Sequence, residues 1–229
     1  MSAIAATVER AVGAFRAGTP VLVHDFDDRE GETDLLYPAD AVEPSDVAHL
    51  RNDAGGLVFV ALPDDVAAAF DLPFLHEVLS HPATEYEHVG YDARPSFSLS
   101  VNHRETYTGI IDDDRARTIT ALADLADVAR RALDAGDTTD RAEEFAAEFR
   151  APGHVHVLRA ASGLLAGRQG HTELGLALAD AAGAVPAVAG AEMLDDQTGR
   201  ALSPADARAY AERHGLPFVE GDDLVAAFG

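Results

Sequence analysis

Eight residues near the N-terminus, Asp27-Asp28-Arg29-Glu30-Gly31-Glu32-Thr33-Asp34, hold five carboxylates and one guanidinium. Oxygen-rich runs of this density suit hard cations such as Mg2+ or Mn2+. Arg29 either restrains one of those carboxylates or reaches an anionic substrate. The Asp-x-Asp-x-Asp-Gly order of an EF-hand is missing, and in so acidic a chain a merely solvated loop accounts for the same composition. A second run, Arg168-Gln169-Gly170-His171-Thr172-Glu173, stands between a glycine-bearing turn (Gly163 to Gly167) and a helical pattern. A helix start offers unpaired backbone N–H groups, so a phosphate is at home there, with Thr172 as the cap and Arg168 as a bidentate cation. The neutral imidazole of His171 is a ready metal ligand.

Three smaller groups add to these. Pro152-Gly153-His154 leads into a strand, and His156 shares a face with His154 if that strand is regular, one ring suited to a cleft while the other packs. Thr108-Gly109-Ile110 with Asp114-Arg115-Ala116-Arg117-Thr118 reads either as an anion-contacting loop or as a capped helix start. Glu192 closes an apolar strand, where a carboxylate is either partnered or works as a base with a raised pKa. The other histidines (His24, His49, His76, His81, His88, His103 and His214) are taken as surface or core residues. No His-Glu-x-x-His, Gly-x-Gly-x-x-Gly, phosphate-loop or Gly-x-Ser-x-Gly motif is present. Together the groups describe a site for a phosphorylated polyol with one or two divalent cations. Such cations would polarise a keto-hydroxyl pair and acidify the adjacent C–H, which is enolisation chemistry.

Composition bounds the alternatives. The chain has 229 residues, a formal charge of −23, and no cysteine, tryptophan or lysine. Disulfides, thiolate metal sites, cysteine nucleophiles and Schiff bases are therefore excluded. So acidic a surface does not suit nucleic acid, whose binding needs a basic face. The acidity reads as adaptation to high salt, where self-repulsion is screened, with a cation-binding surface as the lesser alternative. No run approaches the ~20 apolar residues of a membrane helix, and Glu9 and Arg10 interrupt any signal-peptide core. A cytoplasmic protein is expected.

The elements that must position these groups follow from periodicity. Helices are expected over residues 3–17, from Pro44 for about two turns, after Pro63, from Arg115 behind an Asp112-Asp113-Asp114 cap, and over 172–182, 204–214 and 222–228. Strands are expected at 20–23, 35–37, 57–61, 96–103, 154–158, 185–193 and 217–219, with Phe97, Leu99 and Val101 inward along 96–103. Residues 76–95 read as loop, and 124–150 as helical in part. Alternation without a linker predicts a single domain over 1–229, of mixed α/β (α+β) class around a layered sheet.

The motifs, in this order, resemble those of the 3,4-dihydroxy-2-butanone 4-phosphate synthase family, from about Val8 to Val225. The acidic loop is followed by Thr108-Gly109-Ile110 with Asp114-Arg115, by Pro152-Gly153-His154, by Arg168 to Glu173, 17 positions separating His154 from His171, and by Glu192, 21 further on. The resemblance implies a three-layer α-β-α sandwich around a mixed twisted sheet, a homodimer with active sites at the subunit interface, and two Mg2+ or Mn2+ ions per site. It implies a lyase of riboflavin biosynthesis that converts D-ribulose 5-phosphate to L-3,4-dihydroxy-2-butanone 4-phosphate and formate through a metal-stabilised enediolate. Glu30 and His171 would be metal ligands, and His154 and Glu192 catalytic. Arg29, Glu30, Asp34, Thr108, Asp114, Arg115, Arg168, Gln169, Gly170, His171 and Thr172 would contact substrate. Two rivals remain: another divalent-metal phosphosugar isomerase or aldolase, and a non-catalytic phosphometabolite-binding domain.

Four positions depart from the family pattern. Phe59 stands where a cysteine is usual, Gly31 where asparagine is, Thr33 where glycine is, and Tyr107 replaces the first threonine of a Thr-Thr-Gly run. The chain ends soon after Phe228, so a monofunctional form without a GTP cyclohydrolase II domain is expected. If the acidity is salt adaptation, the melting temperature will climb strongly between low and molar KCl; a flat curve in thermal denaturation rejects it.

Overall fold

In the computed structural model, residues 3–26, 29–84 and 94–229 are described. Helical spacing of Val8, Ala11 and Phe15 gives the first helix, α1 (Ala3–Arg16), one buried face. The short apolar runs become strands: β1 (Val21–His24), β2 (Thr33–Pro38) and β3 (Phe59–Leu62) are buried along their whole length. Such uninterrupted burial belongs to strands covered on both faces. β4 (Phe97–His103), β5 (Phe149–Arg159), β6 (Val188–Glu192) and β7 (Phe218–Glu220) complete the set. Among the described residues, these seven strands form one sheet in the order β4-β5-β3-β6-β2-β1-β7. The β3–β5 and β1–β7 pairs are parallel and the rest antiparallel.

Neighbouring residues on a strand enter opposite cores. Leu22, Leu35 and Val60 join one apolar cluster with α2 (Pro44–His49), α3 (Asp64–Ala69), α5 (Asp112–Asp134), α6 (Ala142–Glu148) and α8 (Pro204–His214). Val23, Leu36 and Phe59 join the other with α1, α7 (His171–Ala182) and α9 (Gly221–Phe228). The result is the three-layer α-β-α sandwich with a mixed sheet. Among the described residues no helix is long and apolar enough to cross a membrane.

Several local expectations are corrected. The helix after the aspartate triplet starts at Asp112 with Ile111 as its cap, so the aspartates form the first turn rather than a cap. There they suit the positive end of the helix dipole. Thr172 lies inside α7, whose N-cap is Gly170. Within 76–95 the chain makes one helical turn, α4 (Leu75–Val78), while 85–93, His88 included, lie outside the described residues. The inward pattern of 96–103 is inverted at its start, Ser98 being 2% exposed and Phe97 40%. Phe97 pairs with Leu158 and Ser100 with His156, so three steps along β4 face two along β5. One extra residue in a strand reverses which side chains face inward beyond it.

A polar tie fastens α2, α8 and β2 together. After α2 a π-helical turn, Leu50–Ala54, carries Asp53, and the Tyr210 hydroxyl donates to its carboxylate at 2.6 Å. That leaves the Tyr210 oxygen to accept from His49 Nε2 (2.6 Å), while His49 Nδ1 lies 2.5 Å from the Tyr37 hydroxyl. Tyr210→Phe strands two partly buried partners, and the expected loss is about 1–3 kcal/mol of stability, read as a lower urea midpoint with an unchanged slope.

Candidate active site

The acidic run forms the connection between β1 and β2. Its base is closed twice: Asp25 N–H donates to the Glu32 carbonyl at 3.0 Å, and Glu32 N–H donates to Asp25 Oδ1 at 3.0 Å. Asp27 and Asp28 lie outside the described residues. Gly31 adopts φ +65°, a conformation glycine and asparagine tolerate best. Thr33 is buried and bonds His24 Nδ1 through its hydroxyl at 3.1 Å.

At the far end of the sequence, the start of α7 is built around Glu173. This carboxylate, fully buried, accepts the Ala161 and Gly170 N–H groups (2.8 and 3.3 Å) and pairs with Arg168 at 2.8 Å. A Cβ on Gly170 would lie 2.4 Å from the Arg168 guanidinium and 2.8 Å from that of Arg29. Only a bare backbone lets both cations converge on the helix start. The Thr172 hydroxyl is buried there with no hydrogen-bond partner among the described residues.

The two ends meet at His171. Its Nδ1 lies 2.9 Å from Glu30 Oε2, and Arg168 approaches Glu30 Oε1 at 3.9 Å. Asp34 is fully buried, sits opposite Glu192 in the β2–β6 register, and has neither carboxylate oxygen hydrogen-bonded among the described residues. Burial disfavours a charged His171, but Asp34, Glu30 and Glu192 outweigh it and lift the imidazole to about 10. Burial likewise pushes Glu30 up, yet His171, Arg168 and Arg29 hold it below the usual carboxylate range. Glu32 rises to about 7 through burial and the neighbouring Glu30 and Glu192. Glu192 is gripped from the side by the Leu57 N–H, 2.7 Å from its Oε2. A cavity of about 260 Å³ opens here, lined by Arg29, Glu30, Glu32, Phe59, Arg168, His171 and Glu192 among others. Phe59 forms its apolar wall, 5.5 Å from the His171 ring.

The remaining expected residues form a second group outside the lining of that cavity. His154 and Thr108 are joined through Asn102, and Asp114 Oδ2 accepts the Thr108 and Gly109 N–H groups at 3.2 and 2.8 Å. Arg115 bonds Asp112 at 3.1 Å, and Arg51 bonds the same carboxylate at 2.9 Å. His156 stands between the groups, half-buried against Phe97 and, by burial first, held below the usual imidazole range although Glu192 opposes this. Gln169 is exposed, and Tyr107 is 92% exposed, away from the cavity. Sequence reasoning gave no separate role to Glu32, although it named the loop around it, and passed over Arg94 and Ser96, which also line the cavity. No period or motif marks Arg94, and Ser96 reads only as the start of an alternating strand.

The cavity's donors are carboxylate oxygens and one imidazole, a set that suits hard divalent ions. Among the described residues no three metal-binding side chains converge into a cage. Magnesium needs none, since it keeps several waters and takes one or two carboxylates beside substrate oxygens. Glu30 meets that requirement, and His171 stands beside it as a donor when its imidazole is neutral.

Fold and site thus define a layered α+β protein whose cavity combines cation donors with paired guanidiniums. The sequence model of 3,4-dihydroxy-2-butanone 4-phosphate synthase matches residues 9–227. The chain is 46% identical over 226 residues to the 3,4-dihydroxy-2-butanone 4-phosphate synthase of Archaeoglobus fulgidus, covering 95% of this chain and 92% of that protein. Its structure is similar to that of the Candida albicans synthase, with a TM-score of 0.74 at 28% identity over 97% of each chain. It is also similar to a synthase solved in complex with two magnesium ions, with a TM-score of 0.71 at 30% identity over 99% of this chain and 96% of that one. The chain belongs to the 3,4-dihydroxy-2-butanone 4-phosphate synthase family.

Glu173 is the anchor on which Arg168 depends. Glu173→Gln breaks a buried ion pair, which costs about 3–5 kcal/mol, and chemical denaturation of the variant should show a loss of that order.

Proposed function

We propose that the protein converts D-ribulose 5-phosphate to L-3,4-dihydroxy-2-butanone 4-phosphate and formate, as a cytoplasmic lyase of riboflavin biosynthesis dependent on Mg2+ or Mn2+. The observation that carries this reading is the contact of Glu30 with His171 at 2.9 Å, beside Arg29, Arg168 and Glu192 in one cavity. Arg29, Arg168 and the first N–H groups of α7 suit the phosphate ester. Glu30 and His171 would hold two divalent cations, which when bound supply Lewis-acid polarisation of the C2 carbonyl and C3 hydroxyl. Glu192 or Glu32 lies in the cavity as a base for the C3 proton, Glu192 already oriented by the Leu57 N–H. Departure of the C1 hydroxyl as water, migration of the C4 unit and hydration then release formate, so that the pentulose phosphate equals the two products in composition.

His154 and the Thr108–Asp114 turn enter this scheme from a second copy of the chain. Tyr107, Ile110 and Ile111 of that turn are exposed, as expected of a face covered in a homodimer. In this reading a two-fold partner brings its His154 group to the cavity, where His154 moves protons and Thr108, Asp114 and Arg115 contact substrate.

Incubation of the purified protein with Mg2+ and ribulose 5-phosphate should yield stoichiometric formate. Sugar products without formate would instead make it an isomerase or aldolase, and unchanged sugar a binding domain. Glu30→Gln should abolish turnover while the circular dichroism spectrum is preserved. His171→Ala should weaken Mn2+ binding at least tenfold by calorimetry, and an isotherm like that of the parent protein would remove His171 as a ligand.

A further inference from the structure

Besides the shift between Phe97 and Ser100, the β4–β5 pairing is irregular beside His154. Val101 pairs with Val155, but the next residue, Asn102, pairs with Arg150. One step along β4 therefore spans five along β5, and residues 151–154 bulge out of the ladder. Bulges re-aim side chains next to functional sites. Here the bulge turns the Asn102 carboxamide, only 4% exposed, onto His154.

The orientation of that carboxamide is fixed by backbone partners with no freedom of their own. The His154 N–H can only donate, and it meets Oδ1 at 2.8 Å. The Thr108 carbonyl can only accept, and it meets Nδ2 at 3.3 Å. The Thr108–Gly109 turn closes directly on the amide, since a Cβ on Gly109 would fall 2.2 Å from Asn102 Cγ. Oδ1 and Nδ2 each still have one hydrogen-bonding position, and both lie 3.2 Å from His154 Nδ1. When Nδ1 carries a proton, Oδ1 accepts it; when Nδ1 is bare, Nδ2 donates to it.

We propose that Asn102 is the positioning residue of His154, holding the ring in one place through both of its protonation states while tying it to the Thr108–Asp114 turn. A carboxylate at this position would favour only the protonated Nδ1, and an apolar residue would hold neither form. Nε2 is thereby left to exchange protons with a reacting group. The proposal rests on the assignment of His154 to proton transfer, and the test separates the two.

The test uses the full chain with Mg2+ and ribulose 5-phosphate, together with 15N spectra of the imidazole of His154. Asn102→Leu should lower kcat about 10- to 100-fold with KM changed less than about threefold, as expected when a group slips by roughly an ångström. Asn102→Asp, nearly isosteric and so retaining the fold if the leucine variant does not, should shift the His154 spectrum toward a protonated Nδ1. His154→Gln, assayed alongside, should be inactive. If His154→Gln is inactive but both Asn102 variants keep the parent kcat and Asn102→Asp keeps the parent His154 spectrum, the positioning role alone is overturned. Full turnover by His154→Gln overturns the assignment of His154, and the positioning role with it.

Discussion

Carboxylates gathered around one buried imidazole are the constraint that the rest of the molecule serves. Glu30, Asp34 and Glu192 all act on His171, and burial alone would drive His171, Glu30 and Asp34 toward their neutral forms. An array of this kind is unstable without compensating positive charge. The protein supplies some of it as arginine: Arg29 and Arg168 lower the Glu30 pKa, and Arg168 is itself anchored on the fully buried Glu173. The remaining demand falls on the proton of His171, which is why that imidazole is held charged up to about 10. A divalent ion bound by Glu30 and His171 would meet the same demand, and since the ligating imidazole must be neutral, ion and proton compete for one place.

Holding such groups together requires rigid elements rather than loops. β2 and β6 run antiparallel with Asp34 opposite Glu192, so two carboxylates distant in sequence are set side by side by the backbone ladder. Immediately beyond that pair the strand lead-in at Leu57 donates to Glu192. α7 is buried over nearly its whole length against the same sheet, which leaves His171 at its first turn no freedom to retreat. The acidic connection is the least regular part, and even there Asp25 and Glu32 clasp each other across its base.

Much of this was legible in the sequence, for stated physical reasons. Clustered carboxylates, a glycine ahead of a helix and a chain without lysine pointed to Glu30, Arg168 and His171, which line one cavity, because few residue types can do that chemistry. The helices ending at Gly183 and Gly215 were legible because both glycines take the left-handed conformation that stops a helix. The failures share a cause, which is that pairing is not local. Whether Ser98 or Phe97 turns inward depends on an extra residue relative to β5, which β4 alone does not encode. Thr172 was assigned a capping role on composition, yet Glu173 reaches back to the Gly170 N–H and makes that cap unnecessary. Two of the positions expected to depart from the resembled pattern have a plain place in the fold: Gly31 takes a positive φ, and Tyr107 lies outside the cavity lining. Phe59, where the resemblance led to the expectation of a thiol, is a ring packed on His171, so that wall restrains the imidazole by contact alone.

The division of the expected residues into two groups has a geometric origin. β4 and β5 lie at one edge of the sheet, beyond the strands that α7 and α1 cover. His154 and Phe97 stand exposed along these strands. The bulge that aims Asn102 at His154 and the glycine that lets the Thr108 turn close on it order this edge of the sheet within one chain. Both features fix the shape of a surface, and a fixed surface with exposed Phe97, Ile110 and Tyr107 is suited to meeting another rigid one. A site divided between two copies in this way would tie catalysis to assembly. The carboxylate array and the proton-transfer group would then be built separately, each on its own rigid frame, and brought into register only by the two-fold contact.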